Sequence, residues 1–293
     1  MSRLKTPYRQ LLGAHEPPSE AVALSVVLPC YRAAALARQS VITLAQALAG
    51  KVPSWEIIVV DDGGHDCAPA LGSLATGGGG SVRIITLPEN RGKGAAVAAG
   101  MLAASGDVRI FTDIDLPYGT DPILLVENLI RTRGFHLVIG DRTFKQSRYE
   151  THLSFGRRLA SNVFSTVTAT LVTGGFFDTQ CGLKGLRGDV AHALFSLQHV
   201  ERFAFDVELI YLALKYGLEI KRIPVVLESN MTSSVRLGRD AVRTLVDVAR
   251  IKYNQVRGNY ASELLEDMVS RECREITDAL PHHEPDRAVK VEG

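Results

Sequence analysis

The chain has 293 residues, 46% of them hydrophobic, and balances 33 Lys and Arg against 32 Asp and Glu. That size suits one large α/β domain or two small ones, and the charge balance excludes a global electrostatic pull toward nucleic acid. Its four cysteines, Cys30, Cys67, Cys181 and Cys273, have no C-x-x-C spacing, so they argue for reduced thiols in a cytoplasmic setting and against a zinc cluster.

Residues 1–21 are polar and proline-bearing, with no apolar segment of the kind a secretory signal needs, and are expected to form an N-terminal arm. The run "LSVVLP" (24–29) is β-branched and apolar and reads as a buried strand stopped by Pro29. An Ala- and Leu-rich helix is expected over 34–49. A second strand, "WEIIVV" (55–60), ends in Asp61-Asp62-Gly63-Gly64. A short helix over 67–75 and a glycine-rich loop lead to a third strand, "VRIITL" (82–87). A small-residue helix (92–104) and a fourth strand, "VRIFT" (108–112), follow.

Further elements are a helix at 121–133, a strand at 136–140, a long helix near 154–173, a polar loop "DTQCG" (178–182), a helix at 204–216, an extended run at 218–227 and a helix at 235–253. Leu159 to Phe177 carries no charge over 19 residues, long enough for a membrane span. Its many Ser, Thr and Asn residues favour a buried or interfacial helix. The expected organisation is an arm over 1–21, a single catalytic domain over 22–258, and a charged, partly disordered tail over 259–293.

Strand and helix alternate, which implies an α/β fold with a mostly parallel central sheet and helices on both faces. In such sheets ligands bind beyond the carboxyl ends of the strands. Three strands end in polar signatures, Pro29-Cys30-Tyr31, Asp61-Asp62 and Asp113-Ile114-Asp115, so these should converge on one rim. If the segment stays extended, Asp113 and Asp115 project the same way. Two carboxylates so close repel unless one is protonated or a cation lies between them. A hard divalent ion, Mg2+ or Mn2+, held by few carboxylates and completed by substrate phosphate oxygens, fits that need; a solvated turn is the plainer alternative. Asp62 at a strand end could accept a nucleobase N–H or simply cap the next helix. In "ENRGKG" (89–94), Lys93 stands at a helix start, which favours phosphate. The spacing is not that of a Walker loop, and no G-x-G-x-x-G follows a strand, which disfavours dinucleotide redox chemistry.

In order, "VVLPCYRAA", "VVDDGG", "NRGKGAAVAAG" and "TDIDLP" resemble the successive motifs of glycosyltransferase family 2. "GDR" (140–142), "DTQCGLKGL" (178–186) and "FAFDVELI" (203–210) look like those of the polyprenyl-phosphate sugar synthases, on the dolichyl-phosphate glucosyltransferase branch. The resemblance covers about residues 22–253. It implies the A-type nucleotide-sugar fold and inverting transfer of a hexose, from a UDP-hexose rather than a GDP-hexose donor, to a polyprenyl phosphate. It also implies roles. Pro29, Tyr31 and Asp62 line the base pocket, and Lys93 lies by the donor. Asp113 and Asp115 hold ribose, metal and diphosphate. Arg142, Arg157 and Ser161 grip the acceptor phosphate. Gln180 and Cys181 lie under the sugar, Arg236 belongs to a donor-phosphate loop, and Asp206 sits near the reaction centre.

Two departures stand out. Pro117 occupies the place where many relatives carry a further polar metal ligand. Many relatives also add C-terminal membrane spans that are not seen here, so a lipid acceptor would call for peripheral docking on the cytoplasmic face. Arg236, Arg239, Arg243 and Arg250 form one stripe of the 235–253 helix, with Val235, Val242, Leu245, Val246 and Ala249 on another, a pattern suited to an anionic bilayer or to a solvated face.

On its helix Asp206 shares a face with Leu209, Ile210 and Ala213, whereas Glu208 is expected to point elsewhere. If the acceptor is a hydroxyl of a small molecule, a base is needed, and Asp206 is the nominee. A lipid phosphate needs none. A non-catalytic nucleotide-sugar binding module is the third reading, and retention of both Asp113 and Asp115 weighs against it.

Overall fold

The computed structural model describes residues 22–72, 79–144, 147, 181–227 and 239–279. The long helix expected near 154–173, the uncharged stretch 159–177 and four expected site residues, Arg157, Ser161, Gln180 and Arg236, lie outside them.

Among the described residues seven strands make one sheet: β1 (Val22–Cys30), β2 (Trp55–Asp61), β3 (Gly80–Thr86), β4 (Gly106–Phe111), β5 (Leu137–Asp141), β6 (Lys184–Arg187) and β7 (Ile220–Pro224). Their order is β3-β2-β1-β4-β6-β5-β7. Only β6 runs antiparallel, between β4 and β5. The mostly parallel sheet expected from strand–helix alternation is therefore present. β1 continues through Pro29, which lies level with Val60 of β2. Pairing of β1 with β4 ends at Val27, so on that side Pro29 deprives no ladder partner of an N–H.

Helices cover both faces. On one lie α1 (Ala34–Leu48), α2 (Cys67–Leu71) and α4 (Asp121–Arg133), over a core that includes Leu24, Val26, Leu28, Ile57, Val59 and Ile110. On the other lie α3 (Lys93–Ala103), α5 (Gly188–Ser196) and α6 (Phe205–Lys215), over Val27, Ile58, Val60 and Phe111. Strands buried on both sides read as unbroken apolar runs rather than as alternation. α3 consists mainly of Ala and Gly and sits close on the sheet: a Cβ on Gly100 would lie 2.3 Å from Val27 Cγ1. The bounds of α4 follow from Pro122 in its first turn and Gly134 in the left-handed conformation after its end.

Two more helices follow, α7 (Arg239–Val256) and α8 (Glu263–Ala279). α8 forms where the sequence suggested a fraying tail. Leu265 is buried, and Met268 and Val269 pack on the same core, an i, i+3, i+4 stripe that the surrounding charges obscured. Its Glu272 takes the Arg187 guanidinium and His136 Nε2. Nδ1 of that histidine accepts the Glu219 N–H, so Nε2 is the donor to Glu272. On α7 the inward side is Val248, Ile251 and Asn254, while Val246 is exposed along with Arg243 and Arg250. The expected division into separate basic and apolar stripes is corrected accordingly.

Glu208 is also corrected. It does not point away from the core but is fully buried on α6, accepting the backbone N–H groups of His199 and Val200 and the Tyr260 hydroxyl at 2.5 Å. Burial outweighs these hydrogen bonds and pushes its carboxyl up from the ordinary 4.5 to about 7. Between those values the folded chain binds more protons than the unfolded one, so stability falls as pH rises through that window. The expected loss is on the order of 3 kcal/mol. Denaturant unfolding of the parent from pH 4.5 to 7.5 should show that slope, and Glu208→Gln should flatten it. Equal slopes would remove Glu208 as the cause.

Candidate functional site

Three parallel strands, β2, β1 and β4, lie side by side, and their carboxyl ends carry the expected rim. Tyr31 follows β1 and is 45% exposed, with the Arg32 guanidinium 5.2 Å from its ring centroid. Asp62 is buried just beyond β2. Its two oxygens accept the N–H groups of Arg91 and Gly92 at 2.8 and 2.9 Å. Desolvation still pushes its pKa up, against those two bonds. Asp62 thus orders the loop that opens α3. From the other side Glu201 pairs with the Arg91 guanidinium, and its carbonyl accepts the Ala95 N–H. Gly92 has φ 113°, and a Cβ there would lie 2.8 Å from the Glu201 carbonyl oxygen, so a side chain is doubly unwelcome.

Held in this way, Lys93 reaches across to β4. Its ammonium lies 2.5 Å from Asp113 Oδ1. Burial works against the lysine charge, but Asp113 and Asp206 outweigh it and raise its pKa. The segment carrying Asp113 and Asp115 does not stay extended. β4 ends at Phe111, and a turn follows in which the Leu116 N–H reaches the Asp113 carbonyl at 3.0 Å, with Leu116 at φ 46°. The two carboxylates nevertheless stay within electrostatic reach. Burial, and then the Asp113 charge, raise the pKa of Asp115.

Behind this pair lies a lysine to which the sequence reading gave no role. Lys184, the first residue of β6, is fully buried, and its ammonium donates to Asp206 Oδ1 at 2.5 Å and to the Cys181 carbonyl at 2.7 Å. Asp206, on α6, is 4% exposed. Burial raises its pKa, and Lys184 and then Lys93 work against that rise. The result is a row of alternating charge, Lys184, Asp206, Lys93 and Asp113. Tyr118 also went unassigned. It is buried, its hydroxyl bonds to the Cys181 thiol, and it feels the Arg142 charge. Arg142 itself follows β5 and is half-buried.

A cleft of about 200 Å³ opens beside Lys93, between the 90–93 loop and α7. Arg91, Lys93, Arg202 and Arg243 line it against Asp247 alone, a balance that suits a polyanion. A second acidic group, Asp61 with Asp66 and Cys67, has its ligand atoms within 4.8 Å of one another. Asp61 accepts the N–H groups of Gly64, Asp66 and Cys67, so its lone pairs are engaged in starting α2, and a cation there would have to break those bonds.

The strand order, the helices on both faces and the charged rim at the carboxyl ends define the architecture of the A-type nucleotide-sugar glycosyltransferases. The sequence profile of glycosyl transferase family 2 matches residues 25–192, and the chain belongs to that family. A Drosophila melanogaster protein named dolichyl-phosphate beta-glucosyltransferase is 34% identical over 256 residues, covering 80% of this chain and 78% of that one. The Dictyostelium discoideum protein of the same name is 30% identical over 70% of this chain and 64% of its own length. The human one is 34% identical over 59% and 55%. Among solved structures, glucosyl-3-phosphoglycerate synthase from Mycobacterium tuberculosis, crystallised with UDP, superposes with a TM-score of 0.57 at 19% identity, covering 81% of this chain and 86% of that one. At that identity the likeness is one of fold.

Proposed function

We propose that the chain transfers a hexose, with inversion, from a UDP-glucose-like nucleotide sugar to a polyprenyl phosphate of the dolichyl type. The observation that carries this reading is the Lys93–Asp113 pair, 2.5 Å apart at the tips of adjoining elements beside a cation-lined cleft. The names of the 34%- and 30%-identical relatives support the same substrate classes. Asp113 and Asp115 fit a divalent ion, Mg2+ or Mn2+. They are hard oxygen donors, few in number, and burial, then the Asp113 charge, already push Asp115 toward neutrality. Bound there, such an ion would neutralise charge on the leaving diphosphate. Lys93 and the arginines of the cleft orient the phosphates of the two substrates.

Asp206 favours a phosphate acceptor over a hydroxyl. A general base must reach the proton it takes, and Asp206 is enclosed and paired with Lys184. A phosphate oxygen is already anionic and needs positioning only. With UDP-glucose, manganese and a short prenyl phosphate, the expected product is a β-linked glucosyl phosphate, read by mass and by NMR of the anomeric proton. Transfer to the matching prenyl alcohol instead would overturn the acceptor assignment. Absence of both transfer and slow donor hydrolysis would leave a binding module.

A prenyl acceptor resides in a bilayer. Among the described residues no helix is long and apolar enough to cross a membrane. The outer side of α7 offers peripheral contact: Val246 is 62%, Tyr253 56% and Val256 86% exposed, interleaved with exposed Arg243, Arg250 and Arg257. Such a face suits the headgroup region of an anionic membrane, and Arg243 stands where it meets the cleft. Tyr253→Ser with Val256→Ser should lower sedimentation with anionic vesicles severalfold, leaving turnover of a water-soluble short acceptor unchanged. Undiminished sedimentation would remove α7 as the contact.

A further inference from the structure

Asp113 is seated by a turn that is itself pinned from behind. One carboxylate oxygen of Asp113 takes the Lys93 ammonium. Against the other lies the backbone of Gly182, so close that a Cβ on that glycine would lie 2.0 Å from Asp113 Oδ2. Gly182 follows Cys181, whose carbonyl accepts the Lys184 ammonium at 2.7 Å. The same ammonium holds Asp206 at 2.5 Å and lies 5.5 Å from the centroid of the Phe111 ring, two residues before Asp113.

We propose that Lys184 is a positioning residue: by holding the Cys181 carbonyl and the Asp206 carboxylate together, it fixes the Cys181–Gly182 turn against Asp113 and keeps Asp206 as the fixed negative neighbour of Lys93. Lys184 touches neither donor nor acceptor in this role. The inference rests on the transferase reading only for its kinetic consequence, because the mechanical link from Lys184 to Asp113 stands on the contacts alone. A buried lysine–aspartate pair by itself is weak evidence of function, since apolar replacements of both partners are often harmless to stability. Here the pair is tied through one turn to the carboxylate that the site is built around.

The test uses the full chain and two variants, Lys184→Gln, which keeps a buried N–H donor without the charge, and Asp113→Asn. Lys184 and Asp113 do not touch, but both act on the charge of Asp206. Residues without contact or shared partner change stability additively, so the cycle is run in an Asp206→Asn background, where that shared charge is gone and the turn still joins the two. If Lys184 acts through the turn, the shifts in the unfolding midpoint of the two single variants will fail to sum to that of the double variant. Additive shifts overturn the proposal. In parallel, Lys184→Gln should raise the KM for the donor and the manganese concentration at half-maximal rate by about tenfold, a typical effect of losing the support behind a metal ligand. Lys184→Arg, which restores the charge, should recover part of that loss. A variant that loses stability but keeps parent-like KM and manganese requirement makes Lys184 a purely structural residue and overturns the proposal as well. If the parent turns over no donor, the transferase reading has failed, and the unfolding cycle alone decides the role of Lys184. Should Lys184→Gln not fold, Lys184→Met combined with Asp206→Leu removes both buried charges and enters the same cycle with Asp113→Asn.

Discussion

Gly182→Ala is expected to lower glycosyl transfer by about a hundredfold or more while leaving the protein folded. The added methyl would sit 2.0 Å from Asp113 Oδ2 and 2.8 Å from its Cγ, closer than non-bonded atoms can approach. Either the carboxylate rotates away or the turn retreats. The turn is tethered at the Cys181 carbonyl by Lys184, and Gly182 and Leu183 are buried, so the carboxylate is the softer partner. The Asp113 side chain is 35% exposed, and rotating it toward solvent sacrifices its ion pair with Lys93 but opens no cavity. Thermal unfolding should therefore drop by only a few degrees, the shift of about 1 kcal/mol in a domain of this class.

A contrasting substitution makes the expectation specific. Gly100→Ala on α3 places its methyl 2.3 Å from Val27 Cγ1, deep in the core and away from the rim. Overpacking there should cost about 1–3 kcal/mol, and the surviving folded molecules should turn over at the parental rate. Initial rates with UDP-glucose and a short prenyl phosphate, normalised to folded protein, compare the two. A Gly182→Ala rate within threefold of the parent would show that the seat of Asp113 does not matter to the chemistry.

The sequence made the rim legible because its signals were redundant. β1, β2 and β4 are apolar runs ended by polar signatures, and parallel pairing brings such ends together whatever the rest of the fold does. α4 was legible to the residue because proline and glycine bracket it. What escaped had little local signal. β6 is four residues long, with a lysine and a glycine inside it, and it enters the sheet antiparallel between two strands that precede it in the chain. A lysine in so short a run reads as surface, yet Lys184 is fully enclosed. Only its partner hinted at it: Asp206 on an apolar helix stripe implied a buried counter-charge without saying which residue supplies it. Glu208 was misread because helical spacing separates faces, whereas α6 is buried on nearly all sides from Phe205 to Ala213. For the aspartate pair, a period of two would make D-x-D project together only if the chain stayed extended past the strand end. The turn closed by Leu116 brings the carboxylates into reach by another route.

Asp113→Asn should reduce transfer by about a thousandfold, the scale on which a single preorganised electrostatic partner counts in an active site. Asparagine keeps the volume and one acceptor oxygen, so the turn at 113–116 and the contact with Gly182 survive. What disappears is one negative charge, with two separable consequences. Lys93 loses its nearer partner and retains Asp206, so the lysine is drawn back from the cleft. The proposed divalent site would lose one of its two hard donors, leaving Asp115 alone to hold the ion. Asp115→Asn should be milder and of a different kind. Burial and the Asp113 charge already raise the Asp115 pKa, so without a cation its proton is the easier to keep, and a divalent ion must displace that proton to bind. Lower pH favours the proton, so the parent should need more manganese as pH falls, and Asp115→Asn should lose this pH dependence along with part of its affinity. Manganese titrations at fixed donor, at several pH values, resolve all three proteins. Asp113→Asn with a parental rate and manganese requirement would remove the paired carboxylates from the chemistry, because the one feature changed is the charge that pairs with Lys93 and that the proposed cation and diphosphate would need.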